Sequence, residues 1–266
     1  MKEIEKSNVI RERLVRARQH PLAAYMDLTV GESGFGSFVL YELITSLLGP
    51  MPGALGFLLR RWFYPRLLKS CGRGLILGRN VVLRHPRNVV LGDNVTIDDY
   101  CVIDGRGAGR EGIVFGDNVI INRNCMILAK AGPIVVGNRT SLGSNSSIVS
   151  MDRVELGEAV LTAGGCCLSA GSYRFDDVQT AIMDQPVYAK GPIVIGAKSW
   201  LGTGVIVLDG VTVGEGAVIG AASLVNKAIP DGGIAFGIPA KVRQIRGGTP
   251  SVEGAAAAKT AQGAGD

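Results

Sequence analysis

The chain has 266 residues, enough to bury a substantial core, and its 38 glycines beside 6% aromatics suit a thin structure with small residues inside. Its net charge of +5 hides an asymmetry, because residues 1–90 hold 14 Lys/Arg against 6 Asp/Glu and residues 91–266 hold 14 against 17. The five scattered cysteines form no disulfide framework, so a reducing cytosol is the default; no cleavable signal peptide is apparent, and nothing resembles a nucleic-acid motif.

Met1 to His20 is polar and helix-prone, with Ile10, Leu14 and Ala17 on one face and Pro21 ending the pattern. Pro21 to Gly36 reads as a linker with turn residues. Ser37 to Leu48 is apolar except for Glu42. Gly49-Pro50-Met51-Pro52-Gly53 breaks it, and a second apolar run, Ala54 to Leu68, carries Arg60, Arg61, Trp62, Phe63 and Tyr64 in a cluster. Neither run reaches the ~20 residues that span a bilayer. One reading is an interfacial helical hairpin with aromatic and basic residues at headgroup level, which the basic amino-terminal third favours. The other is a helical cap over the open end of whatever follows.

From about Cys71 an aliphatic residue returns every six positions. The series is Leu77 and Leu83; Leu91, Ile97 and Ile103; Phe115, Ile121 and Ile127; Val136, Leu142 and Ile148; Leu156, Thr162 and Leu168; then Ile195, Leu201, Val207, Val213, Ile219 and Val225. A period of six fits neither an amphipathic helix nor an alternating strand. It fits a solenoid in which each hexad makes one short face and one tight turn, three faces to a coil. Asn80, Asn94, Asn118, Asn124 and Asn145 stand three places after the aliphatic residue, where a sharp corner needs positive φ. Cys101, Cys125 and Cys166 occupy the inward fifth place of a hexad and read as small apolar fillers. Cys166 has no base near it in the repeat, so a nucleophilic role ranks low.

The steps between groups are longer by two, six, three, two and twenty-one residues, always after the third hexad of a coil. The insertions are therefore expected to stack above one corner. The largest runs from Ser169 to Pro192, and a long loop on a rigid solenoid is a place for function. After Val225 come a turn at Ile229-Pro230-Asp231-Gly232, a strand-like piece ending in Gly237-Ile238-Pro239-Ala240-Lys241, and a Gly/Ala-rich stretch from Gly247 to Asp266 expected to be disordered.

The hexads, the stretch Ser199 to Pro230 and the Gly-Ile-Pro-Ala-Lys turn followed by basic residues resemble the hexapeptide-repeat acyltransferases, sugar O-acetyltransferases of the maltose, galactoside and exopolysaccharide types in particular. The resemblance covers roughly Leu75 to Arg246. It implies an all-β left-handed parallel β-helix over residues 71–246, beside an α-helical amino-terminal region (residues 1–70) and the tail 247–266. It also implies a homotrimer with acetyl-CoA or another acyl-CoA in the cleft between neighbouring prisms. Carried onto this chain, the pantetheine contacts fall on Trp200, Gly202, Ala221 and Ser223, and the phosphate contacts on Lys227, Lys241 and Arg243. Those cations suit a multiply charged phosphate group.

The family's acyl transfer uses a histidine to take the acceptor's proton, standing where a coil leaves into the long loop. Here that place holds Tyr173, in Ser172-Tyr173-Arg174-Phe175-Asp176-Asp177, and a phenol with a pKa near ~10 is a poor base. His20 lies in the amino-terminal region. His85 sits four coils before the loop-bearing one, about 19 Å along the axis at ~4.8 Å per coil, and caps a corner beside Pro86. Two isolated histidines do not supply the three of a zinc-dependent β-helix carbonic anhydrase, so no metal is expected. Three accounts remain open. Tyr173 positions the acceptor with Asp176 or Asp177 as base; the acceptor brings its own base; or the chain is a catalytically silent scaffold. The expectation is a cytoplasmic enzyme, peripheral at the inner membrane face through residues 37–68. It would move an acyl group from CoA to a hydroxyl or amine of a sugar in polysaccharide or glycolipid biosynthesis.

Overall fold

The computed structural model describes residues 2–5, 20–31 and 34–247. The helix expected through Ile10, Leu14 and Ala17 and the tail beyond Gly247 lie outside these residues.

The hexads wind into a three-sided left-handed parallel β-helix of about seven turns. Its first face stacks seven strands from Ser70–Cys71 to Thr212–Val213, its third face seven from Val82–Arg84 to Leu224–Val225. The second face starts at Ile76–Leu77 and ends in an antiparallel hairpin, Gly233–Gly237 with Ala240–Ile245. Strands of two to four residues suffice because each aliphatic residue packs on its equivalents above and below. Every position of the six-residue series from Leu77 to Val225 is buried. A fully buried Leu, Ile or Phe contributes about 1.5–3 kcal/mol, so the column of them is the main source of stability.

The corners follow from local chemistry. All five asparagines named above have positive φ, between 53° and 60°. At the corner after the first face, side chains bond one coil to the next: Asp93 Oδ1 accepts the Arg73 amide at 2.7 Å, Asp117 Oδ1 that of Asp93 at 2.7 Å, and Asn138 Oδ1 that of Asp117 at 2.8 Å. Cys101, Cys125 and Cys166 are buried inside, their thiols donating to the carbonyls of Asn122, Gly143 and Gly202. Contact with Cys125 and burial push the Cys101 thiol up, burial pushes Cys166 up, and contact with Cys101 pulls Cys125 down; all three pack as buried fillers. All the insertions leave between the third face and the first, at one corner as expected.

The amino-terminal region departs from expectation in two places. Lys2–Glu5 is a strand, not helix, because its backbone pairs antiparallel with Val187–Ala189 of the long loop. Pro21 also starts a helix, inside the stretch expected to be a linker. Helix α1, Pro21–Thr29, puts the proline at its first turn, where no amide partner is needed, and closes at Gly31 with φ 67°. The stretch expected to be a linker is thus mostly helical. Helix α2, Gly34–Leu48, and helix α3, Gly53–Phe63, form the hairpin, with Pro65 turning the chain into a single tighter turn.

The hairpin caps the first coil. Tyr41 donates its hydroxyl to the Leu83 carbonyl at 2.8 Å. Arg60, 3% exposed, donates Nε to the Leu77 carbonyl at 3.0 Å, and Nη1 to the carbonyls of Met51 and Leu48 at 2.6 and 3.1 Å. Phe38, Ile44, Tyr64, Leu67 and Leu68 join the solenoid's core. His85, at φ 50°, receives α1: its amide bonds the Thr29 carbonyl at 2.7 Å and its Nε2 the Asp27 carbonyl at 2.7 Å. It joins a corner to a helix, the structural role expected of it.

Candidate active site

The loop that begins after Cys167–Ser169 folds back on itself. Ser172–Tyr173 pairs antiparallel with Val187–Ala189, which in turn carries Lys2–Glu5 on its other side. Tyr173 is 45% exposed on this small sheet. The turn beyond it is held by a residue the sequence reading missed. Gln185 is buried, donates Nε2 to the carbonyls of Asp177 and Thr180 at 2.7 and 2.9 Å, and accepts the Asp177 amide at 3.4 Å. Asp209, also missed, anchors the loop's exit by accepting the Lys190 amide at 2.7 Å. A lone glutamine in a loop and an aspartate one place beyond a strand carry no sequence signal for these roles.

The two carboxylates are not equivalent. Asp177 accepts the Thr180 hydroxyl at 2.5 Å and the Gln179 amide at 2.9 Å, and those bonds lower its pKa. A carboxylate so stabilised holds a turn well and binds a proton poorly. Asp176 is exposed, with Arg174 3.6 Å away.

The second group of residues gathers on the last coils. Gly202 and Ala221 abut on successive turns at the corner between the second and third faces, where a Cβ on Gly202 would stand 2.7 Å from the Ala221 amide nitrogen. Only glycine allows the coils to close there. Trp200 projects from the second face, half exposed, directly beside Val218. Ser223 points inward: its hydroxyl donates to the Gly220 carbonyl at 2.7 Å and accepts the Gly237 amide at 3.1 Å, fastening the corner to the terminal hairpin. Its side chain is engaged within the fold. Lys241 and Arg243 are exposed on the strand Ala240–Ile245, Arg243 at a bulge in its pairing; the Arg243 guanidinium lies 5.6 Å from the Phe236 ring centre. Lys227 is exposed just after the last hexad, and neither it nor Lys241 has a carboxylate partner among the described residues.

The loop and the Gly202–Ala221 corner lie apart, while Lys227 follows the third face as the loop does. The loop with Tyr173 leaves after the third face, whereas Gly202 and Ala221 lie before it, and the strands Cys167–Ser169 and Ile206–Leu208 of that face run between. The outward side of this face is apolar at Val82, Met126 and Ile206, as is the second face at Ile76, Ile120 and Leu161. The loop's tip exposes Phe175, Val178, Ile182 and Met183. Among the described residues no group of three His, Cys, Asp or Glu side chains is placed to hold a metal ion.

The profile of the bacterial transferase hexapeptide (six repeats) matches residues 192–227. The chain is 39% identical over 120 residues to the protein named Probable acetyltransferase Rv3034c of Mycobacterium tuberculosis, covering 45% of this chain and 40% of that one. It is 34% identical over 109 residues to the galactoside O-acetyltransferase of Escherichia coli, covering 41% and 52%. The matched stretches thus span about half, or less, of these relatives' own length. Its fold is like that of a mutant of AntD, an N-acyltransferase from Bacillus cereus solved with dTDP and coenzyme A, at a TM-score of 0.51 and 19% identity over 66% of this chain and 90% of that one. The last coils match the bacterial-transferase hexapeptide, the chain folds as a left-handed β-helix, and the relatives it resembles are named acetyltransferases.

Proposed function

We propose that the chain transfers an acyl group, acetyl in the first instance, from CoA to a hydroxyl or amine of a sugar in polysaccharide or glycolipid biosynthesis. One observation carries this reading: the last coil and the terminal hairpin expose Lys227, Lys241 and Arg243, in a chain whose relatives are named acetyltransferases. Lys227 and Lys241, without carboxylate partners among the described residues, suit the phosphates of CoA, and the exposed Ala221 beside buried Gly202 suits its extended pantetheine arm. In this reading the enzyme is a cytoplasmic homotrimer. A loop and a CoA corner on opposite edges of one face form a complete site only when a second copy closes over that face. The apolar outward residues of the second and third faces are the surface for it.

The reaction needs few groups. The acceptor oxygen or nitrogen adds to the thioester carbonyl carbon and loses its proton; the C–S bond then breaks and the CoA sulfur leaves with a proton. Tyr173 orients the acceptor, and Asp176 takes its proton. Asp177 shapes the turn that places both. A silent scaffold is the second reading, favoured by the phenol at 173 and by the poor basicity of Asp177.

Release of free CoA thiol from acetyl-CoA, followed across a panel of sugar and amino-sugar acceptors, separates the two. The transferase reading expects acceptor-dependent thiol release that falls about tenfold or more in Asp176→Asn, within the range of general-base effects. Thiol release no faster than buffer with every acceptor supports the scaffold.

A further inference from the structure

The helical cap is apolar on both sides. On α2, Phe35, Val39, Leu43 and Leu47 recur every fourth residue and are exposed, opposite the buried stripe of Phe38, Tyr41 and Ile44. On α3, Leu55, Leu58 and Trp62 are exposed, opposite buried Gly56 and Arg60. Phe35, Leu47, Leu55 and Trp62 are each more than 60% exposed. A helix in water keeps one side polar. Two adjacent helices that do not mark a surface with an occupant.

The charges around the stripes identify that occupant. Residues 34–74 contain five Lys/Arg and Glu42 alone among acids. Arg60 is engaged in the cap, but Arg61, Arg66, Lys69 and Arg73 are exposed. The Arg66 guanidinium lies 4.8 Å from the Phe63 ring centre, a pairing of cation and aromatic suited to a headgroup layer. Glu42 accepts the Tyr25 hydroxyl at 3.0 Å. A second copy meeting this surface with its own would bring like charges together. No helix of the described residues is long and apolar enough to cross a membrane, which leaves an in-plane arrangement.

We infer that the outer faces of α2 and α3 dock on an anionic lipid bilayer. The apolar stripes enter the boundary between headgroups and acyl chains, and Arg61 and Arg66 meet the lipid phosphates; Lys69 and Arg73 are held to the solenoid by the Arg110 carbonyl and Asp93. The surface lies at the amino-terminal end of the solenoid, several coils from the loop and the basic hairpin, so docking leaves that site open. In the homotrimer proposed above, the three caps would face one way along the axis, matching a flat membrane; this last point rests on that reading, and the patch itself does not.

Flotation of the purified full chain with vesicles of phosphatidylcholine, alone or mixed with phosphatidylglycerol, tests it at low and high salt. Binding to the anionic vesicles only, weakened by salt, is expected. It should fall at least about tenfold in Arg61→Glu/Arg66→Glu and in Leu47→Ser/Trp62→Ser. Circular dichroism, light scattering and CoA titration on the same preparations keep loss of folding, of assembly or of CoA binding separate from loss of docking. A folded wild-type chain that ignores anionic vesicles overturns the inference, as do variants that bind equally well. So does a Leu47→Ser/Trp62→Ser chain that changes oligomeric state, which would make a second copy the occupant.

Discussion

Tyr173→His raises the rate of acetyl transfer to a sugar acceptor by about 10²-fold, the lower end of what a positioned general base contributes. Tyr173 stands on the strand Ser172–Tyr173 at the mouth of the long loop, half in solvent, with its backbone held by Tyr188 and Val187 on the paired strand. The substitution leaves that pairing intact and removes little packing. It exchanges a phenol, a poor base, for an imidazole near ~6.5, which is unprotonated and able to take the acceptor's proton at neutral pH. The sign of the pH dependence follows. In the variant, kcat/KM rises as pH passes through about 6.5 and levels above it, because the deprotonated ring is the active form. Steady-state rates of thiol release across pH, wild type beside variant, check this. An unchanged rate at every pH would place the acceptor hydroxyl away from residue 173.

Arg60→Met is expected to cost about 3 kcal/mol of stability, since buried acceptors left without a donor lose about 1–3 kcal/mol each and partial relaxation recovers some of it. The methionine keeps most of the stem's packing but abandons the carbonyls of Leu77, Leu48 and Met51 where α2, α3 and the first coil meet. Burial lowers the guanidinium's pKa, yet three carbonyl acceptors keep it buried and charged without a carboxylate. Urea unfolding of the two proteins reads the difference as a shift in midpoint at similar slope. A loss under about 1 kcal/mol would mean that water takes over the three carbonyls and that the cap does not depend on Arg60.

How much of this was legible in the sequence depended on how local the cause was. The coil period was legible because each inward residue, from Leu77 to Val225, meets its own equivalents one turn away, so one rule repeats along the chain. The corners were legible because positive φ at Asn94 or Asn118 is a property of a single residue. The strand Lys2–Glu5 was not, since its partner Val187–Ala189 lies far along the chain and nothing in the four residues points there. Pro21 can stop a helix before it and start one after it, and the structure shows the helix that it starts. The apolar run of α2 suggested either a cap or a membrane surface. The helix does the first through Phe38, Tyr41 and Ile44 and retains a second apolar stripe, a division that composition alone does not reveal. In the candidate site, Asp176 and Asp177 were equivalent on paper. The hydrogen bonds from Thr180 and Gln179 to Asp177 separate them.

The central claim is that the carboxy-terminal coils bind CoA, and isothermal titration of acetyl-CoA and free CoA into the purified full-length protein tests it most directly, with Lys227→Ala/Lys241→Ala alongside. The account predicts binding in the micromolar range, about −8 kcal/mol, lost in the double variant while its fold and oligomeric state stay unchanged. No detectable binding of either ligand to a folded, trimeric wild-type protein would contradict it and leave the β-helix as a scaffold.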